Sequence, residues 1–366
     1  MKEYTLNECF DLIRNGASIK QFKASGIPIT RIETISSGII DYSKVGYADI
    51  FDDKYSDFYL KENDILMSHI NSEKHLGKVA IVKGINQKII HGMNLLILRY
   101  KKDIIYPKYI YYYFKTNKFK LNIFKISKKS VNQASFNVSE LKKIRVFLPN
   151  TRKQQEISEK LDKVTEIIKK QKEQLELLEN LKKSQFLEEM GNPIKNDKGW
   201  KIEKWENVLK IVNGKNQKKV ENKTGKYDIF GSGGKIGKAD DWLVKENSVL
   251  IGRKGSINKP LIVKEKIWNV DTVFGLEPDT DIINYHYLYY FCCFYNFEQL
   301  NRAVTIPSLT KRDLLKIDIP IPPLELQNKF ATKIEAIQKL KFEIEKSLKE
   351  TENLYNSLMQ KFFSNK

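Results

Sequence analysis

Cysteine and histidine are scarce in this chain of 366 residues, and neither forms a recognisable pattern. Cys9 stands alone and Cys292 and Cys293 are adjacent, so their number and spacing fit neither a disulfide framework nor a zinc site. The four histidines do not stand at ligand spacing from these cysteines; they are His69, His75, His91 and His286. We therefore expect a reduced protein without a bound metal.

Long apolar runs are also missing. No window offers the uncharged apolar run of about 20 residues that is needed to span a bilayer. The first residues, MKEYTLNECF, have no apolar core after a basic start, so no secretory signal is visible. These absences predict a cytoplasmic protein without a membrane partner.

The glycine-rich stretch FGSGGKIGK, residues 230–238, resembles a nucleotide-binding loop but lacks the residues that such a loop requires. A Walker A loop would need a glycine at Ser232 and a hydroxyl residue at Ala239, and a dinucleotide fingerprint would need a glycine at Ile236. We interpret the stretch as a flexible basic loop between two strand-like segments, whose glycines let the backbone approach a surface closely. An ordinary hairpin turn is an equally open alternative.

Motifs of other enzyme classes are absent as well. The Pro-Pro pair, Pro322-Pro323, is followed by Leu324 and not by the aromatic residue of enzymes that methylate adenine or cytosine amino groups. No glycine-rich strand end suits S-adenosylmethionine, and no Ser/His/Asp or Cys/His set stands out. The sequence predicts no catalytic residue and no cofactor.

Positive charge is abundant and unevenly distributed. The formal net charge is +19 and the isoelectric point is about 9.4, which indicates a polyanionic partner. Residues 1–148 carry a net charge of +11 and residues 193–321 carry +6, whereas residues 149–192 are neutral. If the chain were merely rich in lysine, its solvent-exposed helices would carry a positive net charge as well. We therefore predict nucleic-acid binding by the two charged parts.

The chain contains an internal repeat at an offset of 173 residues. Segment 133–149 matches segment 306–322 at four apolar positions, and the tyrosine-rich run 108–114 resembles residues 286–291. We predict that the tyrosine runs form helices packed on a sheet and do not stack on bases, because both copies keep them. The sequence thus indicates a tandem duplication of a globular part followed by a long helix.

Each copy ends in a helix with an apolar stripe. Apolar residues recur at alternating steps of four and three along residues 149–192 and again along residues 322–366. We expect about 35–40 residues in each helix, which is roughly 55 Å. Thr151 and Gln154 are predicted to form a capping box, and Pro323 is predicted to take the first helical position. A stripe of this length needs a partner helix, and the nearest candidate is its own copy.

Four sequence motifs connect these features to a known family. FLPNTRKQQEISEKL (147–161) and IPIPPLELQNKFATKI (319–334) stand where each globular part passes into its helix. The second globular part contains GKYDIFGSGGKIGKADDWLV (225–244) and WNVDTVFGL (268–276). In this order the motifs resemble the DNA-specificity (S) subunit of type I restriction–modification systems, and the resemblance covers nearly the whole chain.

The resemblance implies an α+β protein with two mixed α/β target recognition domains, residues 1–148 and 193–321. The helices 149–192 and 322–366 would separate the domains and pair as an antiparallel coiled coil, with a pseudo-twofold internal repeat. Each domain would read one half of a bipartite, asymmetric site in double-stranded DNA, and the helices would set the gap. The family also implies partner methyltransferase subunits, usually two, and a restriction subunit, while the specificity subunit binds neither S-adenosylmethionine nor ATP.

Candidate DNA contacts lie in polar loops of both globular parts. In the first part they are Lys20, Lys23, Arg31, Ser68, His69, Asn71, Lys74, His75, Lys128, Lys129 and Gln133. In the second part they are Lys215, Asn216, Gln217, Lys218, Lys219, Ser232, Gly233, Gly234, Lys235, Arg253, Lys254, Ser256, Lys259 and Arg302. Arg253 is the best candidate for a bidentate contact with guanine. For each single residue, a solvated or structural role is an open alternative.

Two other functions are compatible with the same features. A coiled-coil scaffold could bind RNA or protein without base specificity, and its binding would then depend on salt but not on sequence. A standalone nuclease or methyltransferase with a divergent site would show activity in the purified chain.

Overall fold

The computed structural model describes residues 1–21, 25–36, 38–131, 133–301 and 307–364. The chain forms two compact units: unit 1 comprises Met1–Lys170 and Lys349–Lys366, and unit 2 comprises Gln171–Leu348. Each unit contains one globular part and a portion of each long helix. The predicted domains are four consecutive segments with boundaries after residues 148, 192 and 321. These boundaries stay a prediction.

Unit 1 is a mixed α/β unit built on antiparallel sheets. Its elements are β1 (Lys2–Thr5), α1 (Leu6–Cys9), β2 (Phe10–Asn15), β3 (Pro28–Ile29), β4 (Gly46–Tyr47), β5 (Ile65–Ser68), β6 (Ile70–Asn71), β7 (Val79–Ile81), β8 (Leu95–Tyr100), α2 (Pro107–Phe114), α3 (Asn117–Ile126), β9 (Lys128–Lys129), β10 (Ala134–Ser135), α4 (Val138–Lys143), β11 (Arg145–Leu148) and the start of α5 (Thr151–Met190). The main sheet has the order β2-β8-β5-β7, and smaller sheets pair β1 with β11, β3 with β4, and β6 with β10 and β9.

Unit 2 repeats this organisation. Its elements are the end of α5, β12 (Lys201–Lys204), α6 (Trp205–Val208), β13 (Leu209–Asn213), β14 (Tyr227–Gly231), β15 (Gly234–Ala239), β16 (Ser248–Gly252), β17 (Leu261–Val263), β18 (Ile267–Asn269), β19 (Val273–Pro278), α7 (Tyr285–Phe294), α8 (Lys311–Leu314), β20 (Asp318–Ile321) and the start of α9 (Leu324–Phe363). The sheets β13-β19-β16-β17 and β12-β20 reproduce β2-β8-β5-β7 and β1-β11 in the same chain order. The predicted mixed α/β class with two repeated domains is therefore confirmed.

The tyrosine-rich runs lie in the cores, as the repeat predicts. In unit 1, Tyr109 of α2 is buried and its ring centroid lies 5.1 Å from that of Phe363. In unit 2, Tyr287 of α7 is buried and its hydroxyl donates to the carbonyl oxygen of Pro320 at 2.5 Å. Burial of these large rings stabilises the packing of each helix on its sheet and leaves the rings unavailable for stacking on bases.

The start of the first long helix differs from the predicted capping box. Helix α5 begins at Thr151, and the cap is the side chain of Asn150, whose Oδ1 accepts from the backbone N–H of Lys153 at 2.9 Å. Gln154 is fully buried. Its Oε1 accepts from the N–H of Tyr106 at 2.9 Å, and its Nε2 donates to two backbone carbonyls. The predicted box is wrong because this glutamine satisfies backbone groups of another segment.

Gln327 repeats this arrangement at the start of the second long helix. It is fully buried, its Oε1 accepts from the N–H of Asn284 at 2.8 Å, and its Nε2 donates to the carbonyls of Ile282 and Pro322 at 3.1 and 2.8 Å. The sequence predicted Pro323 at the first helical position, but helix α9 begins at Leu324, so Pro323 lies one residue before the helix. The carbonyl oxygen of Pro323 accepts the N–H of Gln327 at 3.1 Å.

Both long helices contain 40 residues, at the upper end of the predicted length. Within unit 2 they lie side by side. Gln171 bonds to Ser347 at 2.9 Å, Glu179 to Lys341 at 2.7 Å, and Glu189 to Lys333 at 2.8 Å. As the residue number rises along α5 it falls along α9, so the two segments run in opposite directions in this unit.

Two kinds of feature are absent from the part of the chain that the structure describes. No helix in it is both long enough and apolar enough to cross a membrane. No group of three or more His, Cys, Asp or Glu side chains in it could hold a metal ion.

Candidate nucleic-acid interface

The glycine-rich stretch is a tight β-hairpin. Strand β14 pairs with β15, Gly231 lies opposite Gly234, and Ser232 and Gly233 form the turn. Gly234 has a φ of +120°, a conformation that side chains disfavour, so glycine is required there. The predicted flexible loop is therefore wrong in extent, and the alternative of a hairpin turn is correct.

Two lysines of this hairpin are oriented by one carboxylate. Lys235 Nζ lies 2.8 Å from Asp228 Oδ2, and Lys238 Nζ lies 2.9 Å from Asp228 Oδ1. Partial burial pushes the pKa of Asp228 upward, but the hydrogen bonds from the two lysines outweigh it and hold the pKa below its usual value. The carboxylate thus fixes the two ammonium groups on one side of the hairpin.

Three of the predicted DNA-binding segments of unit 2 meet at residues 269–272. The N–H of Lys215 donates to the carbonyl of Asn269 at 3.0 Å. The N–H of Val270 donates to the carbonyl oxygen of Phe230, at the base of the hairpin turn, at 3.0 Å. The N–H of Arg253 donates to the carbonyl oxygen of Thr272 at 2.8 Å. Segments that are up to about 40 residues apart in sequence are therefore neighbours in the fold.

The Arg253 side chain is positioned by an aromatic ring. Its Cζ lies 5.7 Å from the ring centroid of Phe274, and its Nη1 lies 3.5 Å from the carbonyl oxygen of Asp271. This contact with the ring stabilises the guanidinium without occupying all of its five donors. A partly buried arginine held in this way is suited to present a fixed fork of donors to a base or a phosphate.

The neighbouring predicted residues border the same surface. Lys254 bridges to Ser308, and the Ser232 Oγ of the hairpin turn lies 4.0 Å from the position that a Cβ on Gly255 would take. The side chain of Asn216 caps a turn by accepting the N–H of Lys218 at 2.9 Å. The exposed residues of these segments are Lys215, Asn216, Lys218, Lys219, Gly233, Lys235, Lys254 and Lys259, while Gln217, Ser232, Gly234 and Ser256 are half-buried.

Unit 1 brings its predicted segments together in an equivalent way. Strand β10 pairs with β6 on one side and with β9 on the other, which joins Asn71 to the loop containing Gln133. Lys129 Nζ lies 2.8 Å from Glu73. Lys74, Lys128, Lys129 and Gln133 are exposed, and Asn71 and His75 are half-buried. The pairing of Ser135 with Ile70 corresponds to the bridge between Ser308 and Lys254 in unit 2.

Ser68 and His69 are withdrawn from this surface. Their exposed fractions are 1% and 6%. The Ser68 hydroxyl donates to the carbonyl of His75 at 2.6 Å, and burial lowers the pKa of His69, so its ring stays neutral at pH 7. These two residues shape the loop from inside and do not contribute donors to its exposed face.

Two further predicted residues, Lys20 and Arg31, do not belong to these segments. Lys20 is exposed, and Arg31 is half-buried, where its Nε donates to Oε1 of Gln21 at 2.6 Å. Lys23 and Arg302 lie outside the described residues.

Sequence reasoning missed Asp228, Asp271 and Phe274. Asp228 stands directly opposite Lys238 in the hairpin register, so correct placement of the turn would have revealed the pair. Asp271 and Phe274 contact Arg253 from about 20 residues away along the chain, and no local pattern links them.

Comparison with known proteins identifies related chains. The sequence model described as "Type I restriction modification DNA specificity domain" matches residues 1–177 and 197–352. A protein of Methanocaldococcus jannaschii, named as the type I restriction enzyme MjaX specificity subunit, is 34% identical over 387 residues, which cover 95% of this chain and 91% of that protein. The type I restriction enzyme EcoKI specificity subunit of Escherichia coli K12 is 24% identical over 155 residues, or 42% of this chain and 33% of that protein.

Solved structures have a similar fold. The crystal structure of the type I restriction–modification system S subunit from M. genitalium matches with a TM-score of 0.66 at 15% identity, over 100% of this chain and 96% of that one. A chain from a structure titled as the basis of complex assembly and conformational transition of the type I R-M system matches with a TM-score of 0.55 at 16% identity, over 100% and 97% of the two chains.

Proposed function

This chain belongs to the family of type I restriction–modification DNA specificity subunits, and from that premise we propose that it recognises a bipartite, asymmetric DNA site. The family resemblance seen in the sequence is confirmed by the comparisons. Members of this family are DNA-recognition subunits and are not catalytic. Recognition by two half-sites is the specific step that we infer for this protein.

The observation that carries the proposal is the presence of two equivalent basic surfaces. Each unit has its own sheet of the same topology and its own set of polar segments gathered beside that sheet. The loop sequences of the two units differ, so the base preferences are expected to differ as well. Two recognition domains with different side chains on their surfaces account for a bipartite DNA site with unequal halves.

We assign the exposed residues of the two surfaces to DNA contact and divide their roles by geometry. Arg253, held over Phe274, is placed to read a base edge, for which guanine is the usual arginine target. The lysines of residues 215–219 and 253–259, together with Lys128 and Lys129, are suited to phosphate contacts, which set affinity and its salt dependence.

The long helices are assigned the role of a spacer. We propose that they pair along their length as an antiparallel coiled coil and relate the two recognition domains by a pseudo-twofold axis. Support comes from the alternating four-and-three apolar spacing and from the opposite order of the contacts within unit 2. At 1.5 Å per residue, each helix of 40 residues is about 60 Å long.

The partners follow from the family. We propose that this chain directs methyltransferase subunits, two per complex, and a restriction subunit to the recognised DNA. A cytoplasmic location belongs to the same proposal. A scaffold without base specificity is not favoured, because the family match covers both globular parts.

The experiment that tests the proposal is a map of methylated DNA motifs. This chain is expressed with its methyltransferase partner in cells that lack other methylation, and modified bases are located by sequencing. We expect one motif with two specific parts separated by a spacer of fixed length. A continuous motif, or methylation without sequence preference, would contradict the two-reader proposal.

A further inference from the structure

Unit 1 contains an open groove beside its candidate DNA surface. Its volume is about 1130 Å³, and it lies between the loop at residues 73–79, the start of α3 and the last turns of α9. Five lysines line it: Lys74, Lys78, Lys115, Lys118 and Lys120. A groove of this size can hold a segment of a larger ligand.

The groove has an excess of positive charge. Among its described lining residues the one carboxylate is that of Glu73, which already contacts Lys129 at 2.8 Å. Lys115 bonds to the hydroxyl of Tyr111, with its Nζ 4.1 Å from the centroid of that ring, and burial lowers its pKa to about 8. A half-buried ammonium beside further lysines favours the binding of an anion.

Part of the lining of the groove is apolar. Phe124 is 43% exposed, and Tyr355 and Met359 are half-buried. An inorganic anion gains nothing from apolar residues, whereas a nucleotide joins its phosphate to a sugar with apolar C–H groups and to a flat base. The basic and the apolar residues of the lining together fit a nucleotide better than a simple ion.

The groove continues the candidate DNA surface of unit 1. Lys74 belongs both to the groove and to the segment 68–75, and Glu73 links the groove to Lys129 on strand β9. The groove therefore adjoins the surface that carries Lys129.

We propose that this groove binds nucleotide phosphates, with the backbone of DNA flanking the half-site read by unit 1 as their source. The lysines of the groove contact the phosphates, and its apolar residues pack against a sugar. This inference rests on the proposed function, because the DNA is the one that unit 1 reads. A free nucleoside triphosphate offers the same chemistry, and the experiment separates the two sources.

The test compares two double variants of the full chain. Lys118→Ala/Lys120→Ala removes two groove charges, and Lys102→Ala/Lys125→Ala removes two exposed charges of the same unit that do not line the groove. Binding is measured against salt concentration for a duplex that contains only the recognised motif and for one with long flanks. Thermal unfolding of each variant checks that the fold is retained.

We expect the groove variant to bind the flanked duplex at least about tenfold more weakly at 0.1 M salt, with a salt slope smaller by about two. The short duplex and the control variant should show no such change. If the salt slope is unaltered but the groove variant loses calorimetric binding of ATP that the control retains, the phosphates come from a free nucleotide. Absence of specific DNA binding would contradict the proposed function but not the groove proposal. Loss of ATP binding in the groove variant would still show that the groove binds nucleotide phosphates.

Two results would overturn the proposal. In one, the groove variant matches the control with the flanked duplex and with ATP. In the other, the groove variant loses binding of polyglutamate alone, which would make the groove a site for an acidic protein segment. A further variant, Phe124→Ser, should weaken binding of ATP or the flanked duplex but leave binding of inorganic tripolyphosphate unchanged.

Discussion

Replacing Gln327 with alanine should loosen the junction between α9 and the globular part of unit 2. The side chain is fully buried and satisfies three backbone groups, of Asn284, Ile282 and Pro322, at 2.8, 3.1 and 2.8 Å. Its removal leaves one N–H and two carbonyls without partners and creates a void.

The magnitude follows from the cost of buried polar groups that lose their partners. Each such group costs about 1–3 kcal/mol, and entry of water into the void offsets part of this. We therefore expect Gln327→Ala to lower the free energy of unfolding of unit 2 by about 3–5 kcal/mol. Gln154→Ala should have the same effect on unit 1, because its hydrogen bonds are equivalent.

The assay is amide hydrogen exchange combined with denaturant unfolding. Gln327→Ala should speed exchange at residues 282–288, and Gln154→Ala should speed it at residues 104–110. The matched control is Gln155→Ala, an exposed side chain that bonds only to Glu159 at 2.9 Å, where we expect a loss of about 0.5 kcal/mol or less. Equal losses for Gln327→Ala and Gln155→Ala would refute the reasoning.

Three further predictions concern recognition, pH and spacing. Arg253→Ala should weaken specific DNA binding by about 1–3 kcal/mol and relax the preference at one base pair, whereas a uniform loss across sequences would identify a phosphate contact. Because the folded-state pKa of Asp228 is depressed, its stabilising effect is present above the unfolded pKa of about 3.9 and is lost as the pH falls through the folded value. Asp228→Asn should therefore abolish this acid-dependent loss in thermal unfolding scans between pH 6 and 2, and an unchanged pH profile would contradict the assignment. Deleting facing heptads, residues 172–178 and 341–347, should shorten the helix pair by about 10 Å, or roughly three base pairs. We expect either a spacer shorter by about one to three base pairs with both half-sites retained, or loss of binding, because about three base pairs also turn the groove by nearly a third of a turn. The original spacer at full affinity would show that the helices do not set the distance.

The features that sequence predicted well are those with long or repeated signals. The apolar stripe of each long helix extends over many turns, so local errors at its ends do not hide it, and the structure has helices of 40 residues in both places. The tyrosine runs appear in both copies of the repeat, which favoured a shared structural role over base contact, and both are buried. Repetition thus supplied the information that a single copy lacks.

The features that sequence missed depend on contacts between distant segments. Thr151 and Gln154 match the capping-box pattern, but two of the three backbone groups that bond to the Gln154 side chain lie about 50 residues upstream in the chain. Ser68 and His69 look like surface polar residues, and their burial follows from strand pairing that no local pattern reveals. In the hairpin at residues 230–238, the glycine content alone does not show at which residue the turn ends and the second strand begins.

The most direct test of the central claim is an exchange of one recognition domain. Residues 193–321 are replaced by the corresponding segment of another specificity subunit whose methylated motif is known, and the motif of the hybrid is mapped with the same methyltransferase partner. The account predicts that one half of the motif changes to that of the donor while the other half and the spacer are retained. A change in both halves, or in neither, would contradict recognition by two independent readers.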